Sequence, residues 1–206
     1  MAKSKSSKSS APAQAAPPPP PSWPVFKPPL PVVELYPELH PANSHIVLLS
    51  SFFPRSLCRD YVAFLKTLPL QTTPSRPKKG EAVRVNDRGG EPVGLNPNIR
   101  IYRYSKGQYF DCHYDDSNNL VLDSVPVKTT WTLLLYLTSS AEGCIGGETV
   151  FYPHDRKSAA EEIAVSLETG MLLLHKHGDD CLLHEGREVQ DGEKWVLRTD
   201  LCVRRG

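Results

Sequence analysis

The sequence predicts a mainly β domain, an all-β barrel or double-sheet jelly roll, with a flanking helix and a polar amino-terminal tail. Three observations predict it. From Ile99 onward the chain is a succession of short β-like runs, IRIYRYS, QYFDCHYD, TTWTLLLYLT, TVFYP, EIAVSL, GMLLLHK and KWVLRTDLCV, each bounded by Gly, Pro, Asn or Asp clusters. Only one stretch carries helical spacing, so the strands are not separated by the crossover helices of a parallel sheet. The length, 206 residues, suits one domain with a real core.

The elements follow in order. The first 31 residues hold 10 of the 20 prolines and run from MAKSKSSKSS through PPPPP at 17–21. Such composition buries too little apolar surface to offset chain entropy, which predicts a disordered tail of polyproline II character over 1–35 and an ordered domain over 36–206. At the junction, the apolar residues of VVELYPELH (32–40) can dock on a sheet. HIVLLSSFF (45–53) then supplies a strand-like run. In PRSLCRDYVAFLKTL the residues Leu57, Tyr61, Phe64, Leu65 and Leu68 fall at helical spacing, with Ser56 as N-cap and Pro69 beyond the end. Residues 71–98, rich in Pro, Gly and charge, read as a long loop with one short strand at Ala82–Val85; Arg84, Asp87 and Arg88 lie in it.

Bulk properties exclude several classes. Lys and Arg number 24 against 23 Asp and Glu, a net charge of +1, so no global field draws the chain to nucleic acid or membranes. No apolar run approaches the roughly 18 residues of a membrane span, and the amino terminus lacks a secretory apolar core. The expectation is an intracellular protein, cytoplasmic or nuclear. Five scattered cysteines without a Cys-x-x-Cys pair suggest reduced thiols rather than a disulfide framework or structural zinc.

Two His-x-Asp pairs occur, His113-Tyr114-Asp115 and His177-Gly178-Asp179. In an extended strand residues i and i+2 share a face, so His113 and Asp115 converge if the backbone stays extended, whereas the second pair sits in a glycine turn. A third ligand must come from elsewhere. His184, closing the apolar run of CLLHEG, is best placed. Two histidines and one carboxylate on a β scaffold form the facial set that binds Fe(II) with open positions. In KWVLR, period 2 puts Lys194, Val196 and Arg198 on one face and Trp195 and Leu197 on the other; either cation can face inward to pair a buried anionic ligand. By the same alternation Cys112 faces away from the ligands, while His175 and His177 read as satisfied strand-end histidines.

The ordered pieces RIYRYSKGQYFDCHYD, TLLLYL, GGETVF, GMLLLHKH, LLHEG and GEKWVLRTD, over about Pro97 to Arg204, resemble the iron- and 2-oxoglutarate-dependent dioxygenases, in particular the prolyl 4-hydroxylase-like catalytic domain. The resemblance implies a double-stranded β-helix, and His113, Asp115 and His184 as iron ligands. It further implies Tyr104 and Thr132 in the 2-oxoglutarate pocket and Lys194 as partner of the far carboxylate, with Arg198 the competing cation. Gly146-Gly147-Glu148-Thr149 corresponds to a structural turn. Cofactor and cosubstrates would be Fe(II), 2-oxoglutarate and O2, with ascorbate as reductant and a protein, through a prolyl residue, as the favoured acceptor. Two other readings compete: a non-catalytic jelly-roll module recruited by its proline-rich tail, and a dioxygenase of nucleic acid. The complete ligand set argues against the first, and the near-neutral charge against the second.

Overall fold

A computed structural model of the chain describes residues 22–23, 34–71 and 90–205. The expectations for most of the tail, for a strand at Ala82–Val85 and for Arg84, Asp87 and Arg88 fall outside the described residues. In chain order the elements are β1 (Glu38–His40), β2 (Asn43–Leu49), α1 (Arg55–Leu65), β3 (Pro92–Leu95), β4 (Arg100–Ser105), β5 (Phe110–His113), β6 (Asn119–Leu122) and β7 (Val125–Tyr136). There follow β8 (Ile145–Gly146), β9 (Thr149–Tyr152), β10 (Ile163–Val165), β11 (Leu172–Lys176), β12 (Leu183–Gly186), β13 (Val189–Asp191) and β14 (Glu193–Arg204).

The major sheet runs β1-β2-β11-β7-β14-β3, with β4 also on β14 and β6 on β7; the minor sheet runs β10-β9-β12-β5, and β8 and β13 form a separate ribbon. Every pairing is antiparallel. The result is a double-stranded β-helix, two sheets wound from one set of antiparallel strands.

Alternation along β7, β11 and β14 divides the apolar side chains into two cores. Tyr136, Val196, Leu173 and Ile46 meet Phe151, Ile163 and Val165 between the sheets. The opposite faces, with Leu133, Leu135, Trp195 and Leu172, take α1 through Cys58 and Leu65. Consequently the face holding Lys194, Val196 and Arg198 looks into the space between the sheets, and α1 lies on the far side of the major sheet from that space.

Three expectations need correction. Pro54, not Ser56, is the N-cap of α1, with no side-chain cap bond: its fixed φ of −60° sets the entry, and its carbonyl accepts from Cys58 N at 3.1 Å. Leu68 lies past the helix end yet still packs on its core. Within the stretch read as loop, Pro92–Leu95 is a strand on β14, where the proline sits at the strand's first residue, a position that loses no interior ladder bond.

Candidate functional site

Between the sheets lies a cleft with about 530 Å3 of empty space, lined by Tyr102, Tyr104, Phe110, His113, Asp115, Thr132, Leu134, Thr149, His175, His184, Lys194, Val196 and Arg198 among others. Its few converging polar groups over an apolar lining are those of a small-molecule site. All seven side chains singled out for ligand or pocket roles from sequence, Tyr104, His113, Asp115, Thr132, His184, Lys194 and Arg198, line this one cleft.

His113 ends β5 and pairs in register with His184 of β12, so the two imidazoles are cross-strand neighbours, ring centroids 4.2 Å apart. Asp115 follows just beyond the strand. One donor atom from each of the three lies within 4.8 Å of the others. Both rings are oriented by the backbone: His113 Nδ1–H donates to Asp111 O at 2.7 Å and His184 Nδ1–H to Leu182 O at 2.8 Å. Each Nε2 therefore keeps its lone pair, and His113 Nε2, buried, has no hydrogen-bond partner among the described residues. Burial pushes His184 down to about 4 against the pull of the Asp115 charge, which keeps it neutral and ligand-ready. This donor set fits a divalent cation.

The carboxylate of Asp115 is held from behind. Burial works to raise its pKa, but Arg198 and the imidazoles of His184, His175 and His113 outweigh that and hold it well below the usual range. Arg198 Nη2 lies 2.7 Å from Oδ1, and Thr132 Oγ1 donates to Oδ2 at 2.5 Å. Because Thr132 spends its proton there, His177 Nε2–H donates to Thr132 Oγ1, at 2.6 Å. Asp200, anchored by Asn96 Nδ2 at 3.0 Å, stands beside the same nitrogen, its Oδ1 3.8 Å from His177 Nε2. Sequence reasoning missed this chain because its members meet across strands: Thr132 and Asp200 are in register across β7 and β14, and His177 follows β11, whose His175 pairs with Thr132.

Lys194 is a different kind of cation. Its ammonium is buried and donates to Gly147 O at 2.6 Å, 5.7 Å from the Tyr104 ring and 5.6 Å from Tyr136, with no carboxylate at ion-pair distance among the described residues. Burial pushes it down to about 8. Gly146 and Gly147, at φ +77° and +76°, form the turn that aims this carbonyl, so the turn read as merely structural also positions the cation. Burial raises Tyr104, its cross-strand partner, to about 12, keeping a hydroxyl donor in the cleft.

The remaining histidines and cysteine are placed as follows. Cys112 does face away, its Sγ 3.5 Å from Glu185 Oε2 on the outer side. His177 bonds Thr132 through Nε2, but its buried Nδ1 has no hydrogen-bond partner among the described residues. His175 makes no hydrogen bond at either buried ring nitrogen among the described residues, its Nε2 facing Asp115 Oδ2 at 3.5 Å, so neither histidine is satisfied as expected.

Residues 99–199 match the family model of the 2OG-Fe(II) oxygenase superfamily. The chain is 31% identical over 124 residues to prolyl 4-hydroxylase 2 of Arabidopsis thaliana, a match covering 50% of this chain and 40% of that protein. It thus spans about two-fifths of that relative's length. Among solved structures it is similar to the viral collagen prolyl hydroxylase of Paramecium bursaria Chlorella virus-1 in its 2-oxoglutarate complex, with TM-score 0.46, 16% identity, and coverage of 78% of this chain and 97% of that one. HygX of Streptomyces hygroscopicus with nickel and 2-oxoglutarate bound gives 0.44 and 12%, over 76% and 82%.

Proposed function

Because residues 99–199 are a domain of the 2OG-Fe(II) oxygenase superfamily, of prolyl 4-hydroxylase-like type, we propose that the chain is a non-haem Fe(II) dioxygenase in which His113, Asp115 and His184 hold the metal. The family implies Fe(II) and 2-oxoglutarate. Bound together, they supply oxidative decarboxylation coupled to hydroxylation of an acceptor. The observation that carries the residue assignment is the set of two backbone-oriented Nε2 lone pairs and one carboxylate within 4.8 Å.

The protein's own residues do the rest. Arg198 and Thr132 fix the Asp115 carboxylate, so the ligand is preorganised rather than ordered on binding. Lys194, the cation in the cleft without a carboxylate partner, pairs the far carboxylate of 2-oxoglutarate, and Tyr104 donates to the same group. Arg198 is the weaker candidate for that role because its charge already faces Asp115. Leu134 and Val196 keep the floor of the cleft dry, which strengthens both interactions.

A prolyl residue of a protein is the acceptor we favour. Tyr109 and Phe110 are 53% and 44% exposed, and Phe110 lines the cleft, which offers aromatic surface to a peptide. The net charge of +1 gives nucleic acid no comparable attraction. Among the described residues no helix is long and apolar enough to cross a membrane.

Purified protein given Fe(II), 2-oxoglutarate and ascorbate is expected to release succinate, slowly alone and faster with acceptor. Asp115→Ala and His113→Ala should each abolish it, because two remaining ligands do not hold Fe(II). Undiminished succinate release by both variants would remove these residues from the site. Comparison of peptides from cells with and without the protein tests the acceptor: a gain of one oxygen at proline supports it, and a gain at another residue type replaces it.

A further inference from the structure

We infer that His175, Cys181 and His184 form a second donor set that shares His184 with the first and binds a thiophilic divalent cation such as Zn2+ to the exclusion of Fe(II). The donor atoms of the three lie within 4.8 Å of one another and all three residues are buried. The His175 ring stands 4.4 Å from that of His184, centroid to centroid. It also packs edge-on against Phe151 at 5.3 Å. Packing alone accounts for a ring but not for a histidine. A 2% exposed imidazole with no hydrogen bond at either nitrogen among the described residues, its Nε2 meeting only the Asp115 carboxylate at 3.5 Å, bears a desolvation cost that a phenylalanine there would avoid. A cation bound by one of those nitrogens removes the penalty.

The thiol completes a set of different softness. Cys181 Sγ accepts from Asp115 N at 3.3 Å, so the sulfur sits at the root of the first set's carboxylate. Two imidazoles with a carboxylate oxygen suit Fe(II), whereas two imidazoles with a thiolate suit Zn2+. On binding, the S–H proton leaves to solvent and a sulfur–metal bond forms, with no change of oxidation state. The two sets cannot fill together. His184 Nδ1 is committed to Leu182 O, so a single Nε2 lone pair serves either ion but not both. Zn2+ in the second set therefore displaces iron by taking its shared ligand.

The remaining cluster, Asp111, Cys112 and Glu185, lies on the outer side, where Glu185 already bonds Tyr152 at 2.7 Å and Lys157 at 2.5 Å. It carries no such inference and serves as the control. The experiment is titration of the metal-free full chain with Co2+, without 2-oxoglutarate or oxygen, watching the near-ultraviolet for thiolate-to-cobalt charge transfer. The band is expected in the wild type and in His113→Ala, which disables only the first set, and is expected to vanish in Cys181→Ser. In parallel, competition with a chromophoric chelator should show Zn2+ affinity falling on the order of 100-fold in Cys181→Ser. His175→Phe, which keeps the ring's bulk, should lower it comparably. Absence of the band in both wild type and His113→Ala would overturn the inference, as would a band that survives Cys181→Ser and is lost in Cys112→Ser. Unchanged Zn2+ affinity in His175→Phe would also overturn it. None of these outcomes depends on catalytic turnover, so the dioxygenase reading stands or falls separately.

Discussion

At the scale of single residues, the role proposed for Lys194 sets a conflict between stability and binding that can be measured from both sides. Burial lowers its pKa from 10.5 in the unfolded chain to about 8 in the fold, so folding at neutral pH holds a charge where it is disfavoured. For a base with a depressed folded pKa the penalty is full below about pH 8 and gone above the unfolded value, and it amounts to about 3 kcal/mol. Lys194→Met is therefore expected to raise the stability of the ligand-free protein by about 1–3 kcal/mol at pH 7, read from urea unfolding. The same variant should weaken 2-oxoglutarate by about two orders of magnitude, the loss of a buried charge-assisted pair. The wild type should also bind 2-oxoglutarate progressively less well as pH rises above about 8, since each binding event must then recruit a proton to Lys194. Lys194→Arg, always charged, should flatten that profile. Titration of 2-oxoglutarate into both proteins from pH 7 to 10 decides it: parallel profiles would mean that Lys194 is not the partner. Strand alternation left Lys194 and Arg198 equivalent because both project from the same face of one strand, and only the family resemblance favoured Lys194. What separates them is the neighbour each meets, Asp115 for Arg198 and a carbonyl for Lys194, and neighbours across a fold are not written in local spacing.

Secondary-structure elements show which signals in the chain are local. The long runs of β7 and β14 are legible because burial on both faces of the major sheet makes them apolar-rich stretches bounded by turn signals. β3, β6 and β8, two to four residues each, are not legible: they exist because a longer strand offers them an edge, and PVGL has little β preference of its own. The helix was readable from its apolar stripe, while its cap was not, since a proline start works through backbone geometry rather than a side-chain acceptor. Gly170 marks the junction where the link between β2 and α1 crosses the start of β11. There φ is +88°, and an added Cβ would fall 2.0 Å from Phe53 O, whose own N–H donates to Gly170 O at 3.0 Å. Gly170→Ala is expected to cost about 2–4 kcal/mol, strain and backbone clash together. Gly107, at φ +81° with nothing within 4 Å of its Cβ position, isolates the strain alone, and Gly107→Ala should cost about 1 kcal/mol. Equal denaturant midpoints for the two variants would show that the Phe53 contact yields easily.

For the whole molecule, the major sheet separates stability from chemistry, and truncation from the amino terminus can test that separation. Residues ahead of the domain were expected from composition to contribute nothing to it, yet Trp23 packs on α1, 5.1 Å from the Phe64 ring and 6.1 Å from Tyr61. The indole is still 49% exposed, so the contact is partial, worth about 1 kcal/mol as an aromatic cluster. A chain lacking residues 1–21 should therefore unfold at the wild-type midpoint, whereas one lacking 1–33, or full-length Trp23→Ala, should be less stable by about 1 kcal/mol. Neither change should move the 2-oxoglutarate constant, because α1 covers the face of Leu133, Leu135 and Trp195 while Thr132, Lys194 and Arg198 project from the other. A lost midpoint with an unchanged constant is the signature of a part that packs on the scaffold without touching the cleft. If instead the constant rose several-fold in the 1–33 deletion while Trp23→Ala left it alone, residues beyond the indole would have to reach the cleft, and the boundary near residue 35 would have to be redrawn to include them.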